Sequence, residues 1–199
     1  IGMFKILSEG AISAGVRRIE AVTGEGAEKV LYAAEDTIRK IEEFFHNPQI
    51  VPAVKRLIES NEALNQEVEQ MRREQIVAMA EKLAKACPEV DGMQLIARTF
   101  ERPTEFVKDL AYNLRATMPR LVLVAGSVAG GKATLTIMLG DEIVAAGVNA
   151  SQVVRTAAKE INGGGGGQPF FATAGGKNPD GMQKAIDVAV ELIKNELNK

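Results

Sequence analysis

A run of five glycines, Gly163–Gly167, constrains the fold of this 199-residue chain more than any other segment. Successive glycines lose much backbone entropy on ordering, so such a run is typical of a flexible linker. A linker usually continues in Ser or Gly, whereas this run is followed at once by QPFF at residues 168–171. We therefore predict a glycine-rich turn between a helix end and an edge strand, where another backbone or a phosphate can approach closely. At this stage a binding role and a purely structural role both stay open.

Two long helices are predicted well before the glycine run. Apolar or small residues between residues 26 and 45 recur at spacings of four, three, four, three and four, which is a heptad seam on one helical face. This helix should end at His46, because Pro48 disfavours helical geometry at the residue before it. A second helix is predicted to follow Pro52 and to extend to Ala86. Two amphipathic helices joined by a short proline-containing link favour an antiparallel helical hairpin.

Strand and helix patterns then alternate to the end of the chain. The run LVLVA at residues 121–125 is typical of a buried strand, and residues 182–197 form an amphipathic helical pattern. The predicted fold class is therefore α/β (α+β), a long helical hairpin followed by a compact mixed-sheet α/β domain. We predict three parts: a short β piece at 1–24 that is too small to bury its own core, a helical connector at 25–88, and a glycine-rich domain at 89–199.

Charge and composition exclude several classes of protein. The net charge is −2, so no global positive field indicates nucleic-acid binding, and any such binding must be local. One cysteine, Cys87, excludes an internal disulfide, and together with one histidine it leaves too few ligands for a structural zinc site. No apolar run approaches the roughly 20 residues that a membrane span needs. The start lacks both an initiator Met and a signal-peptide pattern, which indicates a fragment of a longer protein.

The sequence GSVAGGKA at residues 126–133 nearly matches the phosphate-binding loop GxxxxGK[ST]. Ala133 stands where a hydroxyl would hold magnesium, and β-branched residues follow where the motif needs a helix. We therefore interpret the segment as a hairpin turn in which Gly130 and Gly131 supply positive φ angles. His46 is interpreted as a helix-end residue and Cys87 as a partly buried one, and no catalytic residue is predicted.

Two segments resemble one known family. Residues 8–10, SEG, and residues 14–24, AGVRRIEAVTG, resemble the end of the editing domain of alanyl-tRNA synthetases. Residues 163–167, GGGGG, together with residues 171–177, FATAGGK, resemble the glycine-rich signature of the domain that ends those enzymes and that also accompanies DHH phosphoesterases. The predicted helices between them resemble the coiled-coil connector of the family. The resemblance implies that residues 1–24 are a remnant of the editing domain and that the chain is a C-terminal fragment of an alanine–tRNA ligase.

The resemblance also implies what the parent enzyme does. It would activate alanine with ATP, load it onto tRNA and hydrolyse misloaded seryl- or glycyl-tRNA, with ATP, magnesium and zinc as its cofactors. The Cys-x-x-x-His element of the editing site and the whole aminoacylation domain are missing from this sequence. We therefore expect this chain to hold no cofactor or metal and to catalyse nothing by itself. The implied location is the cytoplasm, away from any membrane.

The implied partners are alanine-accepting tRNA, contacted at the outer corner of its L shape, and the rest of the synthetase chain. Some members also form a homodimer through the helical part. RNA loops are read by close backbone approach and by stacking on aromatic rings. The predicted tRNA-binding residues are Gly163, Gly164, Gly165, Gly166, Gly167, Gln168, Phe170, Lys177 and Arg155. We expect valine at Gly165 to weaken tRNA binding without unfolding the domain, and Lys177→Glu to flatten its salt dependence.

Three other interpretations stay open. A pure dimerisation module would carry an exposed apolar seam on its helices and would not bind tRNA. A stand-alone tRNA-editing protein can share the opening segment. A nucleotide-binding domain of the phosphoesterase type would need the acidic and histidine clusters of a catalytic half, which this sequence lacks.

Overall fold

A computed structural model describes residues 2–129 and 132–198 of the chain. The chain divides into two units, the first ending at Gln66 and the second beginning at Glu67. The domain boundaries predicted after residues 24 and 88 stay predictions.

The first unit opens with a two-stranded antiparallel ribbon of β1 (Phe4–Ser13) and β2 (Val16–Thr23). Gly15 turns the chain between the strands with a φ of 77°, a left-handed conformation that glycine adopts without steric cost. Large apolar side chains of the ribbon are exposed, with Phe4 at 60% and Ile19 at 59%, because two strands alone cannot bury a core. The predicted short β piece without a core of its own is therefore confirmed.

Both predicted long helices are present, as α1 (Glu25–Phe45) and α2 (Ile50–Ala86). The start predicted after Pro52 is wrong by three residues, because proline is tolerated in the first turn of a helix, where its missing N–H has no partner to lose. His46 ends α1 in the left-handed conformation, and its backbone N–H donates to the carbonyl oxygens of Glu42 and Glu43, which confirms its helix-end role. The apolar seams of the two helices are exposed at Leu31, Ile38, Leu57, Leu64, Val68 and Met71.

The second unit is built on a six-stranded sheet. Its strands are β3 (Glu89–Val90), β4 (Met93–Phe100), β5 (Leu121–Ala129), β6 (Lys132–Leu139), β7 (Gly163–Gly167) and β8 (Phe171–Gly176). Their order across the sheet is β3-β4-β5-β6-β8-β7. The β4–β5 pair is parallel, and the other neighbouring pairs are antiparallel.

Helices cover both faces of this sheet. They are α3 (Thr104–Thr117), α4 (Asp141–Ala145), α5 (Ala150–Ala157) and α6 (Met182–Leu197), with two 3₁₀ helices at Ala158–Ile161 and Pro179–Gly181. Successive residues of a strand point to opposite faces, so Val124 packs with α5 and α6, whereas Leu123 packs with α3 and the end of α2. The predicted α/β (α+β) fold class, with long helices followed by a mixed-sheet domain, is confirmed. The antiparallel hairpin arrangement of the two long helices stays a prediction.

The glycine run is a strand, so the predicted turn is wrong. It pairs antiparallel with β8 from Gly163 opposite Gly176 to Gly167 opposite Ala172, and it forms one edge of the sheet. The segment predicted as the edge strand is β8, which lies between β6 and β7. Glycine is intrinsically disfavoured in strands, and the hydrogen bonds to β8 offset that cost.

Candidate functional site

The candidate site lies at the end of the sheet where β7 begins and β8 ends. Two backbone-paired rows cross β6, β8 and β7 there, one through Ala133, Gly176 and Gly163, the other through Thr134, Gly175 and Gly164. A Cβ atom added at Gly164 or Gly175 would meet nothing within 4 Å. This corner of the sheet is therefore bare main chain that another molecule can approach closely.

An open cleft of about 470 Å³ lies over this corner, and we call it the glycine cleft. It is lined by Lys132, Ala133, Thr134, Asn162, Gly163, Gly164, Gly175, Gly176 and Lys177. Its polar groups are two lysine ammonium groups, one hydroxyl, one side-chain amide and the main chain of four glycines. Such a set can bind an anion through charge and through main-chain N–H groups, without recognising a particular base.

Asn178 fixes the segment that carries Lys177. Its backbone N–H donates to the carbonyl oxygen of Ile161 at 3.0 Å, and its side-chain Nδ2 donates to the carbonyl oxygen of Glu160 at 3.2 Å. Asn162, the residue after Ile161, adopts the left-handed conformation with a φ of 50° and turns the chain into β7. These contacts hold Lys177 beside the first residues of the glycine strand.

The glycine cleft is a local concentration of positive charge. Lys132 and Lys177 are exposed. In residues 2–129 and 132–198 neither ammonium group has a carboxylate within 4.0 Å, although the neighbouring Lys184 is paired with Glu160 at 2.8 Å. A chain of net charge −2 therefore still presents two cations together at one end of its sheet.

Close approach to β8 explains three of the five glycines. A Cβ atom at Gly163 would lie 2.1 Å from the carbonyl oxygen of Gly175, and one at Gly165 would lie 2.1 Å from that of Thr173. At Gly167 the corresponding distance to the Phe171 oxygen is 2.3 Å. No side chain fits at such distances, so valine at Gly165 would disrupt the pairing of β7 with β8. The expectation that this substitution leaves the fold intact is wrong.

The structure distributes the predicted tRNA-binding residues over three places. Gly163, Gly164 and Lys177 line the glycine cleft. Farther along β7, a Cβ atom at Gly166 would lie 3.5 Å from a guanidinium nitrogen of Arg155. Gln168 and Phe170 lie beyond the other end of β8, about 17 Å from the cleft along that strand.

Both phenylalanines before and in β8 are half-buried against the core on the α3 side. The Arg115 guanidinium lies 4.4 Å from the centroid of the Phe170 ring, and the rings of Phe171 and Tyr112 are 5.2 Å apart. One face of Phe170 is thus occupied by an intramolecular cation–π contact. A base that stacked on this face of Phe170 would have to displace Arg115.

Lys132, Thr134 and Asn162 are cleft residues that sequence reasoning missed. Lys132 belongs to the GSVAGGKA segment, whose hairpin interpretation is confirmed because Ala129 pairs with Lys132 across antiparallel strands. The φ angles predicted for Gly130 and Gly131 lie outside the described residues. The hairpin pattern does indicate that Lys132 begins a strand. It does not indicate that this strand end lies beside Lys177, which is remote in sequence.

Other candidate chemistry is limited in the part of the chain that the structure describes. No group of three His, Cys, Asp or Glu residues there is arranged to hold a metal ion. None of the described helices is both long enough and apolar enough to cross a bilayer. Cys87 is half-buried at the end of α2, as predicted, and burial raises the pKa of its thiol, which disfavours the reactive thiolate.

Comparison with known proteins identifies the family. Residues 92–195, more than half of the chain, match the family model described as the DHHA1 domain. The chain belongs to the DHHA1 family. The matched range includes the whole glycine cleft.

Curated relatives of this DHHA1 chain are named alanine–tRNA ligases. It is 44% identical over 194 residues to the protein of Bacteroides fragilis, which covers 96% of this chain and 22% of that protein. It is 39% identical over 195 residues to that of Parabacteroides distasonis, covering 97% and 22%. The resemblance to alanyl-tRNA synthetases is therefore confirmed, and the chain spans about a fifth of the length of these relatives.

A solved structure also matches part of the DHHA1 chain. It is the C-Ala domain of the alanyl-tRNA synthetase of Aquifex aeolicus, which is 33% identical and has a TM-score of 0.48. The match covers 57% of this chain and 98% of that domain.

Proposed function

We propose that this chain is the tRNA-binding part of an alanine–tRNA ligase. The similarity to proteins of that name covers 96% to 97% of this chain and 22% of the length of each of those proteins. The complete protein would join alanine to its tRNA at the expense of ATP and would remove wrongly attached amino acids. It would act in the cytoplasm, in keeping with the free Cys87 of this chain.

The glycine cleft is the observation that supports tRNA binding. Lys132 and Lys177 offer two cations, and the bare main chain at Gly164 and Gly175 lets a sugar–phosphate backbone come close. Contacts of this kind position a nucleic acid and follow its shape, whereas they carry little sequence information. We therefore propose that the cleft binds the outer corner of tRNA, a shape that different tRNAs share.

The chain contributes no catalytic group to this proposal. The ATP, magnesium and zinc that a complete ligase would use are assigned to its aminoacylation and editing parts. This chain would supply affinity for tRNA and would help to keep one tRNA engaged during loading and editing. The rest of the synthetase chain is accordingly a proposed partner.

Binding of the 199-residue chain to alanine-accepting tRNA at several salt concentrations tests the proposal. An unrelated tRNA and an RNA duplex of equal length serve as ligand controls. Lys132→Glu and Lys177→Glu should each weaken binding and lower the salt slope by about 0.7 to 0.9, the value for one phosphate contact. Lys85→Glu is the matched protein control. Lys85 is exposed in the last turn of α2, and the chain after α2 enters the sheet at the end opposite the glycine cleft.

Binding of both tRNAs but not of the duplex is the expected result. If the wild-type chain does not bind tRNA at low salt, or if Lys85→Glu weakens binding as much as the cleft variants, the proposal is refuted.

A second candidate function is self-association through the helices. Leu57 and Leu64 of α2 are each more than half exposed, and the heptad spacing of α1 is that of a coiled-coil seam. The proposed occupant of this seam is a second copy of the chain. Light scattering on the binding samples should then give twice the chain mass of 21.3 kDa, and a monomer mass at high concentration would refute self-association.

A further inference from the structure

The end of β4 lies at the same end of the sheet as the glycine cleft. One row of backbone-paired residues joins them across four strands, through Phe100, Ser127, Thr134 and Gly175. Three strand spacings separate β4 from β8, so the row is about 14 Å long. That length corresponds to about four nucleotides of a stacked strand at about 3.4 Å each.

Two side-chain contacts fix the segment after β4 against this row. The Ser127 hydroxyl donates to the carbonyl oxygen of Arg102, and the hydroxyl oxygens of Thr104 and Thr134 lie 3.3 Å apart. Ser127 is only 1% exposed, so its hydrogen bond stabilises a polar group that would otherwise be buried without a partner. The segment is thereby held beside the glycine cleft.

Two arginines, Arg98 in β4 and Arg102 in the segment after it, lie over aromatic rings, and we call them the arginine pair. The Arg98 guanidinium is 5.2 Å from the centroid of Phe100, and that of Arg102 is 5.3 Å from the centroid of Phe106. Both rings are only 5% exposed and so are anchored in the core, while both arginines are exposed. A cation–π contact holds each guanidinium plane in place and leaves its N–H groups available to an anion.

The arginine pair differs in its electrostatics from three arginines of the second unit that are ion-paired. Arg72, Arg115 and Arg120 each form an ion pair with a carboxylate. Over the described ranges, neither Arg98 nor Arg102 has a carboxylate within 4.0 Å. Arg98 and Arg102 line an open cleft of about 410 Å³. Glu101, which lies between them in sequence, lines it too, and its carboxylate opposes part of their charge.

We propose that Arg98 and Arg102 form a second phosphate-binding site for the same RNA strand, three strand spacings or about 14 Å from Gly175 of the glycine cleft. This inference rests on the proposed function, since it extends the surface that contacts tRNA. The ligand class is the sugar–phosphate backbone of RNA. Charge-assisted contacts from two guanidinium groups would fix the direction in which that backbone crosses the sheet end.

The double variant Arg98→Gln/Arg102→Gln of the full chain tests the second site by anisotropy with labelled tRNA. Loss of two phosphate contacts should lower the slope of log affinity against log salt by about 1.4 to 1.8. A rise from 50 to 200 mM salt should then weaken the wild type by about 7- to 12-fold more than the variant. Glu101→Gln removes an opposing charge and should strengthen binding at 50 mM salt.

Arg98→Lys/Arg102→Lys is the matched variant, because it keeps both charges while changing the contact with the rings. It should retain most of the wild-type salt slope, and Lys85→Gln should retain all of it. Circular dichroism melts check that each variant is folded.

An unchanged slope in a folded glutamine variant, with binding still weakened by Lys177→Glu, overturns the second site and leaves the proposed function standing. A slope lowered equally by the lysine variant, which keeps both positive charges, would mean that the slope does not report the charge of these two residues, which also overturns the second site. Absence of tRNA binding by the wild type overturns both proposals.

Discussion

Alanine substitution at two neighbouring glycines of β7 should have opposite effects on stability. At Gly165 the new Cβ atom would lie 2.1 Å from the Thr173 oxygen and 2.4 Å from the Cα atom of Ala174, so the backbone of β7 must move. At Gly164 the same atom meets nothing within 4 Å. The two variants make the same chemical change one residue apart, and each is the control for the other.

The magnitudes follow from the contacts. Overpacking of this kind costs about 1 to 3 kcal/mol, so Gly165→Ala should lower the melting temperature by roughly 4 to 12 °C at about 4 °C per kcal/mol. Gly164→Ala reduces the entropy of the unfolded chain without strain in the folded one, which is worth about 0.4 to 1 kcal/mol. Its melting temperature should therefore stay level or rise by about 2 to 4 °C.

Thermal melts followed by circular dichroism give both values under one condition. The same Gly164→Ala sample then tests the cleft, because a methyl group on its floor should weaken tRNA binding in a protein that is fully folded. Equal melting temperatures for the two variants would refute the argument from close approach. So would a loss of stability confined to Gly164→Ala.

Two further predictions concern single side chains. Asn149 caps α5 by accepting hydrogen bonds from the backbone N–H groups of Ser151 and Gln152, so Asn149→Ala should lower the free energy of unfolding in urea by about 1 kcal/mol, whereas Asn149→Asp should keep the cap. Burial raises the pKa of Cys87, so alkylation of the native chain by iodoacetamide should need a higher pH than alkylation of the unfolded chain; identical pH–rate curves would contradict that assignment.

Local patterns were sufficient to predict the helices. The amphipathic period from residue 182 to residue 197 has the same bounds as α6, and Pro48 correctly marked the end of α1 at Phe45. In these segments the side chains themselves determine which face is buried, so the period of the sequence carries the structure.

The glycine strand could not be predicted in the same way. Glycine has no side chain to alternate between two faces, and its local preference favours turns. Its strand conformation comes from pairing with residues 171–176 and from the exclusion of any Cβ atom at Gly163, Gly165 and Gly167. Such information is contained in the neighbouring strand and not in the run itself.

The candidate site was predicted in part for a similar reason. Lys177 stands out because it follows the glycines in sequence, whereas Lys132 is 45 residues away in a segment whose pattern predicts a turn. Pairing of Ala133 with Gly176 brings the two lysines to one cleft. Phe170 is distant from that cleft because the whole of β8, Phe171–Gly176, lies between them. The sequence does not show where this strand begins.

An edge strand made only of glycine also determines how the sheet opens. Glycine gains more backbone freedom on release than any other residue, so releasing β7 costs less than releasing the central strands β5 and β6, and its amides should exchange with solvent ahead of theirs. A ligand that contacts the main chain of Gly163 and Gly164 must bind the closed form. Occupancy of the cleft and order along the edge strand are therefore thermodynamically linked, and part of the binding free energy is used to keep that edge closed.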